Sequence, residues 1–456
     1  MNTNKEKNER FPIFWIILLF IFGLVFIFLV PPFQKPDEIA HYYRAASLAQ
    51  GEFTCNTSGD SSGFSLKEKY LVLPQIYETN RIAFHYEEKF DKDLLKNVDK
   101  SLDEKNGNVE FSNFCSLPFL PYIPFTISFW LSDLFNYVPL SFYLSRIIAF
   151  ALFVVCILLS FNNLRKSKLE WVVVIYSLIP MVLHQASAIG YDYMNLALAP
   201  LIFSYVFKFL SEEEIKKKDM ILFFIFSLLF VSVKAGYYFL PLIYFLIPYK
   251  RISKSKKKYL LITGVFLLSI VAIALFTTFA SGYVSVASST GNINAIEQLK
   301  NLFDIRFTLN LVRTTLNTNM VFYIKSFIGI FGWLDYTLSF YSYLLVFFVI
   351  FLSAFYLQKE KIFDNYLKLF ISSSLIIVGG IVFLFASMYL TWNQVGATII
   401  SGIQGRYFLA YFPVMLIWLG SLIRGFNTNK TFRFLLLSSV VLLLLFDIVL
   451  VIVERY

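Results

Sequence analysis

Apolar runs of about 20 residues recur along this chain, and they limit what it can fold into. A run of this length spans the roughly 30 Å hydrocarbon core of a bilayer as one α-helix. Lipid offers no hydrogen-bond partners to irregular backbone. Hydrophobic residues make up 57% of the chain and charged residues only 15%. We therefore expect an all-α integral membrane protein in which residues 1–456 form a single polytopic membrane domain.

Basic residues between the apolar runs indicate how the chain threads the membrane. Loops rich in Lys and Arg stay on the cytoplasmic side. The formal charge of +10 comes from short clusters between runs, which predicts contact with anionic lipid and not with nucleic acid. The first run has no small-residue cleavage site, so we expect an anchored helix with a cytoplasmic N-terminus. The predicted spans, about 11 in number, are 11–30, 140–161, 171–188, 193–210, 220–233, 237–248, 260–280, 338–356, 369–389, 407–423 and 435–453.

Two long segments, residues 31–137 and 282–336, are predicted to be extracytoplasmic loops that carry juxtamembrane helices. Residues 116–135 in the first loop are apolar but contain three prolines, which disfavour a continuous span. We expect this stretch to lie along the interface; if it crosses instead, the basic cluster at 165–168 lies outside. Cys55 and Cys115, also in the first loop, form either a disulfide that closes it or two unpaired thiols.

A polar juxtamembrane segment follows the first span. Asp37, Glu38, His41 and Arg44 fall within eight residues of a membrane boundary, where ionisable groups are costly unless they have a partner or a function. Their spacing places Asp37, His41 and Arg44 near one face of an interfacial helix predicted at 37–50. We take Asp37, with Glu38 beside it, as the candidate catalytic carboxylate. Helix capping is the structural alternative for Asp37.

Other polar and aromatic residues collect on the same predicted side of the membrane. They are Asp192, Lys234, Tyr237, Trp333, Asp335, Gln404 and Arg406. Helix capping by Asp192, contact of the two cations with lipid headgroups and an aromatic belt that includes Trp333 are the structural alternatives. Together these residues predict a site for an anionic ligand that arrives from the lipid.

A carboxylate near two fixed cations fits the transfer of a group from a phosphate-linked donor to a hydroxyl. Asp37 takes the hydroxyl proton as general base. Lys234 and Arg406, with Tyr237 and Gln404 beside them, bind the donor phosphate and stabilise its charge as it leaves. Acidic residues from two loops are also candidates to hold a divalent metal, Mg or Mn, against that phosphate. A donor carried on a long lipid explains a site at the membrane surface.

Three motifs carry a resemblance to known proteins. They are Pro-Pro-Phe-Gln-Lys-Pro-Asp-Glu-Ile-Ala-His at 31–41, Gly-Tyr-Asp at 190–192 and Gly-Ile-Gln-Gly-Arg-Tyr-Phe at 402–408. A first span, then Pro-Asp-Glu opening a juxtamembrane helix, then a proline-rich second interfacial helix resembles the GT-C superfamily of polyprenyl-phosphate-dependent glycosyltransferases. The motifs resemble more closely a bacterial family of predicted polytopic membrane proteins of unknown function.

The resemblance implies a GT-C-like fold and an inverting transfer from a polyprenyl-phosphate-linked sugar to a cell-surface glycopolymer or glycolipid. Asp37 matches the first-loop acidic residue that acts as catalytic base, and Asp192 matches a second acidic residue near the metal or acceptor, where we also place His41. Lys234 matches a lysine that closes the fifth span. The implied location is the plasma membrane of a bacterium, with the active site extracytoplasmic. Trp333 and Asp335 remain loop candidates.

Two other functions stay open at this point. A transporter or flippase of lipid-linked sugars is one, although such proteins bury charges near the midplane. A polysaccharide polymerase is the other, because Arg306 and Arg313 lie in the second large loop.

Overall fold

The computed structural model describes residues 13–54, 56–58, 61–95, 106–110, 117–165, 167–234, 236–282, 293–357, 365–422 and 430–456. Within these ranges the chain is nearly all-helical, which agrees with the predicted fold class. Cys55 and Cys115 lie outside the described residues, so the disulfide stays a prediction.

Eighteen α-helices occur in the described ranges. In the first half of the chain they are α1 (Ile13–Phe28), α2 (Glu38–Ala49), α3 (Glu68–Ile76), α4 (Thr79–Ile82), α5 (Thr126–Phe135), α6 (Val138–Asn163), α7 (Glu170–Leu178), α8 (Pro180–Ala186), α9 (Asp192–Ser211) and α10 (Lys217–Val233). In the second half they are α11 (Tyr249–Ile252), α12 (Lys256–Gly282), α13 (Ala295–Phe303), α14 (Ile305–Ile328), α15 (Phe340–Leu357), α16 (Tyr366–Trp392), α17 (Phe412–Leu422) and α18 (Lys430–Arg455).

Two small sheets lie in the loops, so the chain is not strictly all-α. Strands β1 (Asn56–Ser58), β2 (Ser61–Lys67) and β3 (Asn106–Glu110) form an antiparallel sheet in the order β1-β2-β3. Its register places Phe64 opposite Val109. Strands β4 (Ile330–Phe331) and β5 (Tyr336–Thr337) form a short hairpin after α14.

Apolar helices of membrane-spanning length dominate the structure. In the described ranges, six are long and apolar enough to cross a bilayer: Val138–Asn163, Asp192–Ser211, Lys256–Phe276, Tyr366–Trp392, Gly405–Leu422 and Leu435–Arg455. Two shorter apolar helices are Phe14–Phe28 and Phe340–Phe355. The chain is therefore a multi-pass membrane protein, whereas the count of eleven spans stays a prediction.

Three predicted segments differ in detail from the helices observed. Residues 116–135 contain a 3-10 helix, Leu120–Phe125, and then α5, whose ten residues reach only about 15 Å. The 3-10 helix runs directly into α5, and the interfacial position of this stretch stays a prediction. The predicted α-helical span 237–248 is wrong in type, because the structure has a seven-residue 3-10 helix there, Leu240–Leu246. The predicted span 171–188 breaks at Ile179, because a residue before proline avoids the α-region.

The main core lies where α6 and α9 pack against each other and against α1, α8 and α17. A second cluster of buried apolar side chains lies beneath the first loop and includes Tyr42, Tyr70 and Phe129. It fixes α2 and α5 against α6. The segment between α1 and α2 is thereby held at one end of the helix bundle, which we call the loop-one side.

Candidate functional site

Residues 31–38 connect α1 to α2, and we call them the strap. Every strap residue is buried except Asp37, whose side chain is 53% exposed. Asp37 has φ 60° and ψ 9°, in the left-handed region, and its side chain forms no hydrogen bond that caps α2. This region costs a non-glycine residue roughly 1–2 kcal/mol, although Asp tolerates it better than most. The capping alternative for Asp37 is therefore wrong, and such strain is typical of functional sites.

The fully buried Arg146 of α6 holds the strap in place. Its Nη1 donates to the carbonyl oxygens of Ile27 at 2.9 Å and Val30 at 2.7 Å, and its Nη2 donates to that of Pro31 at 3.1 Å. The Ile27 carbonyl belongs to the last turn of α1, where carbonyls have no intrahelical partners, and those of Val30 and Pro31 follow the helix. Arg146 is not among the site residues predicted from the sequence. A lone charge inside an apolar span was the signal that would have found it.

Glu38 pairs with the same guanidinium. Arg146 Nε donates to Glu38 Oε1 at 2.8 Å and Nη2 to Oε2 at 2.7 Å, and both side chains are fully buried. The backbone N–H of Ile189 also donates to Glu38 Oε1, at 3.2 Å. Glu38 was predicted beside Asp37 as a second catalytic carboxylate. Its side chain instead points inward and joins the strap to α6 and to the turn before α9.

Lys35 fixes the other side of the strap. Its fully buried Nζ donates to the carbonyl oxygens of His184 at 3.2 Å and Ser187 at 2.5 Å, and to Ser187 Oγ at 2.9 Å. These acceptors lie at the C-terminal end of α8, where a cation is favoured by the helix dipole. Lys35 and Arg146 together leave Asp37 as the one strap residue that faces outward.

Arg406 brings the predicted site residues together. Its guanidinium is 5% exposed; Nη2 lies 3.5 Å from Asp37 Oδ2 and Nε lies 3.9 Å from Asp192 Oδ2. Nη1 donates to Gln185 Oε1 at 3.1 Å. Arg406 Nε is buried without a hydrogen-bond partner in the described part of the chain. One guanidinium therefore links the strap, α8 and the start of α9, and it keeps a buried donor that is not in use.

Lys234 supplies a second cation at the end of α10. Its Nζ lies 3.3 Å from the centroid of the Tyr407 ring and 5.2 Å from that of Tyr191. Cation–π contact stabilises an ammonium at such a position without neutralising its charge. Because Tyr407 follows Arg406 and Tyr191 precedes Asp192, Lys234 lies beside the Arg406 centre. Arg406 thus lies beside Asp37, and Lys234 lies beside Arg406 through the Tyr407 ring.

His41 forms the wall of the site on the α2 side. Its Nδ1 shares a 2.7 Å hydrogen bond with the Tyr122 hydroxyl, and its ring meets that of Tyr191 edge to face at 5.2 Å. Burial lowers the pKa of His41, while the nearby carboxylates of Asp37 and Asp192 act in the opposite direction. A Cβ at Gly190 would lie 3.2 Å from His41 Cδ2, so the glycine of the Gly-Tyr-Asp motif gives the ring room.

The site residues do not match a common metal centre. In the part of the chain that the structure describes, no three His, Cys, Asp or Glu side chains are grouped to hold a metal ion. Asp37 and Asp192 face Arg406, and His41 Nδ1 bonds to Tyr122. The predicted Mg or Mn at His41 and Asp192 therefore has no formed ligand set, and we assign it no step.

Gln404 and Tyr237 occupy different depths. Gln404 immediately precedes the 3-10 helix Gly405–Tyr411, and its Oε1 is buried without a hydrogen-bond partner in the described ranges. Tyr237 is 2% exposed and lies in the core, with its ring centroid 5.5 Å from Phe230 and 6.1 Å from Tyr411. Gln404 thus has an unused acceptor two residues before Arg406, whereas Tyr237 packs in the core just after the end of α10.

Trp333 and Asp335 lie away from the Arg406 centre. Trp333 Nε1 donates to the carbonyl oxygen of Phe33 at 3.1 Å, and Asp335 Oδ2 pairs with Arg455 Nε at 2.7 Å. These contacts join the β4–β5 hairpin to the strap and to the end of α18. We assign both residues to bracing of the loop-one side.

Gly405 allows the Arg406 turn to approach α14 closely. Its N–H donates to Ser326 Oγ at 2.8 Å, and a Cβ there would overlap the carbonyl oxygen of Tyr323 and the backbone nitrogen of Phe327. Gly405→Ala is expected to destabilise the protein by about 1–3 kcal/mol, because backbone atoms cannot move aside as a flexible side chain does. The apparent melting temperature in detergent measures the effect.

Gly264 in α12 provides the matched control. A Cβ there meets nothing within 4 Å, and alanine is a better helix former than glycine. We expect Gly264→Ala to melt at or above the wild-type temperature. Equal melting of the two variants would show that the close approach at Gly405 does not exist.

Comparisons with known proteins place the chain in one family. A family model described as a predicted membrane protein, DUF2142, matches residues 20–415. The matched region contains Asp37, Asp192, Lys234 and Arg406. No curated protein and no solved structure matches the chain.

Proposed function

We propose that this chain, which belongs to the DUF2142 family of predicted membrane proteins, is a GT-C-type glycosyltransferase with about 11 spans. It transfers a sugar from a polyprenyl-phosphate carrier, with inversion, to a hydroxyl of a cell-surface glycopolymer or glycolipid. We place it in the plasma membrane of a bacterium, with the loop-one side extracytoplasmic. The observation that carries this proposal is an exposed carboxylate, Asp37, held 3.5 Å from the buried guanidinium of Arg406.

The proposed reaction uses this pair directly. Asp37 removes the proton from the acceptor hydroxyl, whose oxygen attacks C1 of the sugar from the face opposite the phosphate. The bond between C1 and the phosphate oxygen breaks, and its electron pair stays on the polyprenyl phosphate. Arg406 and Lys234 stabilise that charge from fixed positions, so they need little reorganisation during the reaction. Asp192 holds Arg406 from the other side and lies where an acceptor hydroxyl can bind.

Several features support this assignment over transport. The charged groups of the site gather where α2 and α9 begin and where α10 ends. A transporter usually places its substrate charges near the middle of the bilayer. Arg406 Nε and Gln404 Oε1 are buried polar atoms without partners in the described ranges, as expected beside a binding site that a polar ligand completes.

The test compares cells that carry wild-type protein, Arg406→Gln or Arg406→Lys. We expect Arg406→Gln to lower transfer about 100-fold, because loss of one fixed donor to a developing anion typically has this effect. One surface sugar should disappear and its lipid-linked donor should accumulate. Arg406→Lys keeps the charge without the planar geometry, so partial activity is expected.

Arg81→Gln is the control, since Arg81 is an exposed arginine that pairs with Glu78 on the first loop. Protein level and monodispersity in the membrane are measured for each variant. An unchanged surface glycan with normal levels of Arg406→Gln would contradict the proposal.

A further inference from the structure

Helices α13 and α14 form a separate surface on the loop-one side. The Gln298 side chain of α13 donates to the carbonyl oxygens of Tyr389, Asn393 and Gln394 at 3.0, 2.6 and 2.9 Å. In α14, Thr315 Oγ1 accepts the N–H of Ile400 at 2.9 Å. With the Gly405 contact to Ser326, these bonds lay α14 along the segment between α16 and the Arg406 turn.

Only a narrow stripe of α14 is buried. Its buried residues are Leu311, Thr315, Tyr323, Ser326 and Ile328. Arg306, Asn310, Arg313 and Asn317 are all exposed and follow one another at i, i+4, i+7 and i+11. This spacing places them on one face of the helix, with the two arginines about 10 Å apart along the axis.

An apolar face lies next to this polar one. Ile305, Leu309 and Val312 are 72%, 65% and 40% exposed and share their own i, i+4, i+7 spacing. On α13, Ile296 and Phe303 are 70% and 82% exposed. A helix with adjoining apolar and cationic faces is typical of segments that lie in the membrane interface.

We propose that the exposed polar face of α14 binds the phosphate groups of anionic lipids in the adjacent leaflet. The Arg306 and Arg313 guanidinium groups match phosphate oxygens in charge and in planar geometry. The neighbouring apolar side chains provide contacts for acyl chains, which a free phosphate does not have. The Asp304 carboxylate is oriented toward the start of α14, where it accepts the N–H groups of Arg306 and Phe307 at 2.9 and 3.3 Å.

The position of α14 places this lipid-binding surface next to the Arg406 turn. Its C-terminal half packs against the turn that carries Arg406, so a phosphate-bearing lipid held on α14 lies on a path toward the site. Recruitment of the sugar donor by this route rests on the function proposed above. Binding of anionic lipid does not, and it can be measured by itself.

The experiment titrates purified full-length protein in neutral detergent with phosphatidylglycerol and counts bound lipid by native mass spectrometry. Arg306→Gln/Arg313→Gln is expected to bind about 25-fold more weakly than wild type, since each cation near an anionic surface contributes about fivefold. Arg306→Lys/Arg313→Lys keeps the charges, so its affinity for phosphatidylglycerol should fall far less. Arg81→Gln, an exposed arginine elsewhere on the loop-one side, should bind like wild type.

Two further measurements distinguish lipid binding from sugar transfer and from the binding of free phosphate. Asp37→Asn should keep lipid binding even where transfer is lost, so failure of the proposed function leaves this result standing. Millimolar inorganic phosphate should not displace the lipid. Retention of phosphatidylglycerol by the double glutamine variant, or its displacement by free phosphate, would overturn the proposal.

Discussion

Asp37→Asn is expected to abolish sugar transfer while the protein stays folded and in the membrane. The asparagine keeps the size of the side chain and tolerates the left-handed backbone at φ 60°. It loses the ability to take a proton from the acceptor hydroxyl. General-base catalysis by a positioned side chain contributes about 100- to 10,000-fold, so we expect a loss of at least 100-fold in a transfer assay with purified protein and lipid-linked donor.

Two further variants distinguish the effect of the Asp37 carboxylate on transfer from the effect of its backbone conformation on stability. Asp37→Gly removes the side chain and also relieves the conformational strain, so it should melt at or above the wild-type temperature and be inactive. Asp37→Ala keeps the strain without the tolerance of Asp and should be less stable by roughly 1–2 kcal/mol. Substantial transfer by the glycine variant would exclude Asp37 as the base.

Sequence reasoning found the Arg406 centre because each of its members lies at the end of an apolar run on one predicted side of the membrane. Asp37 follows the first run, Asp192 opens the fourth, and Lys234 and Arg406 flank later ones. Alternation of spans brings such ends to one side of the membrane, and the packing between helices decides which of them meet. The structure adds which residues are in contact: Arg406 lies between the carboxylates of Asp37 and Asp192.

The roles of individual side chains depend on tertiary packing, which the hydrophobic periodicity of the sequence does not reveal. Glu38 and Asp37 are neighbours with the same chemistry, yet one is fully buried and the other is 53% exposed. Glu38 pairs with Arg146, more than 100 residues away, whereas Asp37 adopts a left-handed conformation and its side chain stays exposed. Trp333 and Asp335 were assigned to the site because they lie in a loop on the same side, whereas their partners are Phe33 and Arg455.

Loss of the Glu38–Arg146 pair is expected to have the largest effect on stability. Glu38→Gln leaves a buried guanidinium without its counter-charge, and Arg146→Gln leaves a buried carboxylate and the carbonyls of Ile27, Val30 and Pro31 without their donors. Breaking a buried ion pair from one side typically costs about 3–5 kcal/mol. We expect both variants to give little folded protein at the growth temperature and a clearly lower apparent melting temperature in detergent.

The double variant Glu38→Gln/Arg146→Gln identifies the pairwise part of this effect. It removes both buried charges but still leaves the carbonyls of Ile27, Val30 and Pro31 poorly satisfied, so it should recover only part of the lost stability. Arg81→Gln breaks exposed pairs with Glu78 and Glu88 and should barely change the melting temperature. If Glu38→Gln melts like this control, the pair does not hold the strap. The strap must then be held by Lys35 and by the Arg146 hydrogen bonds to backbone carbonyls.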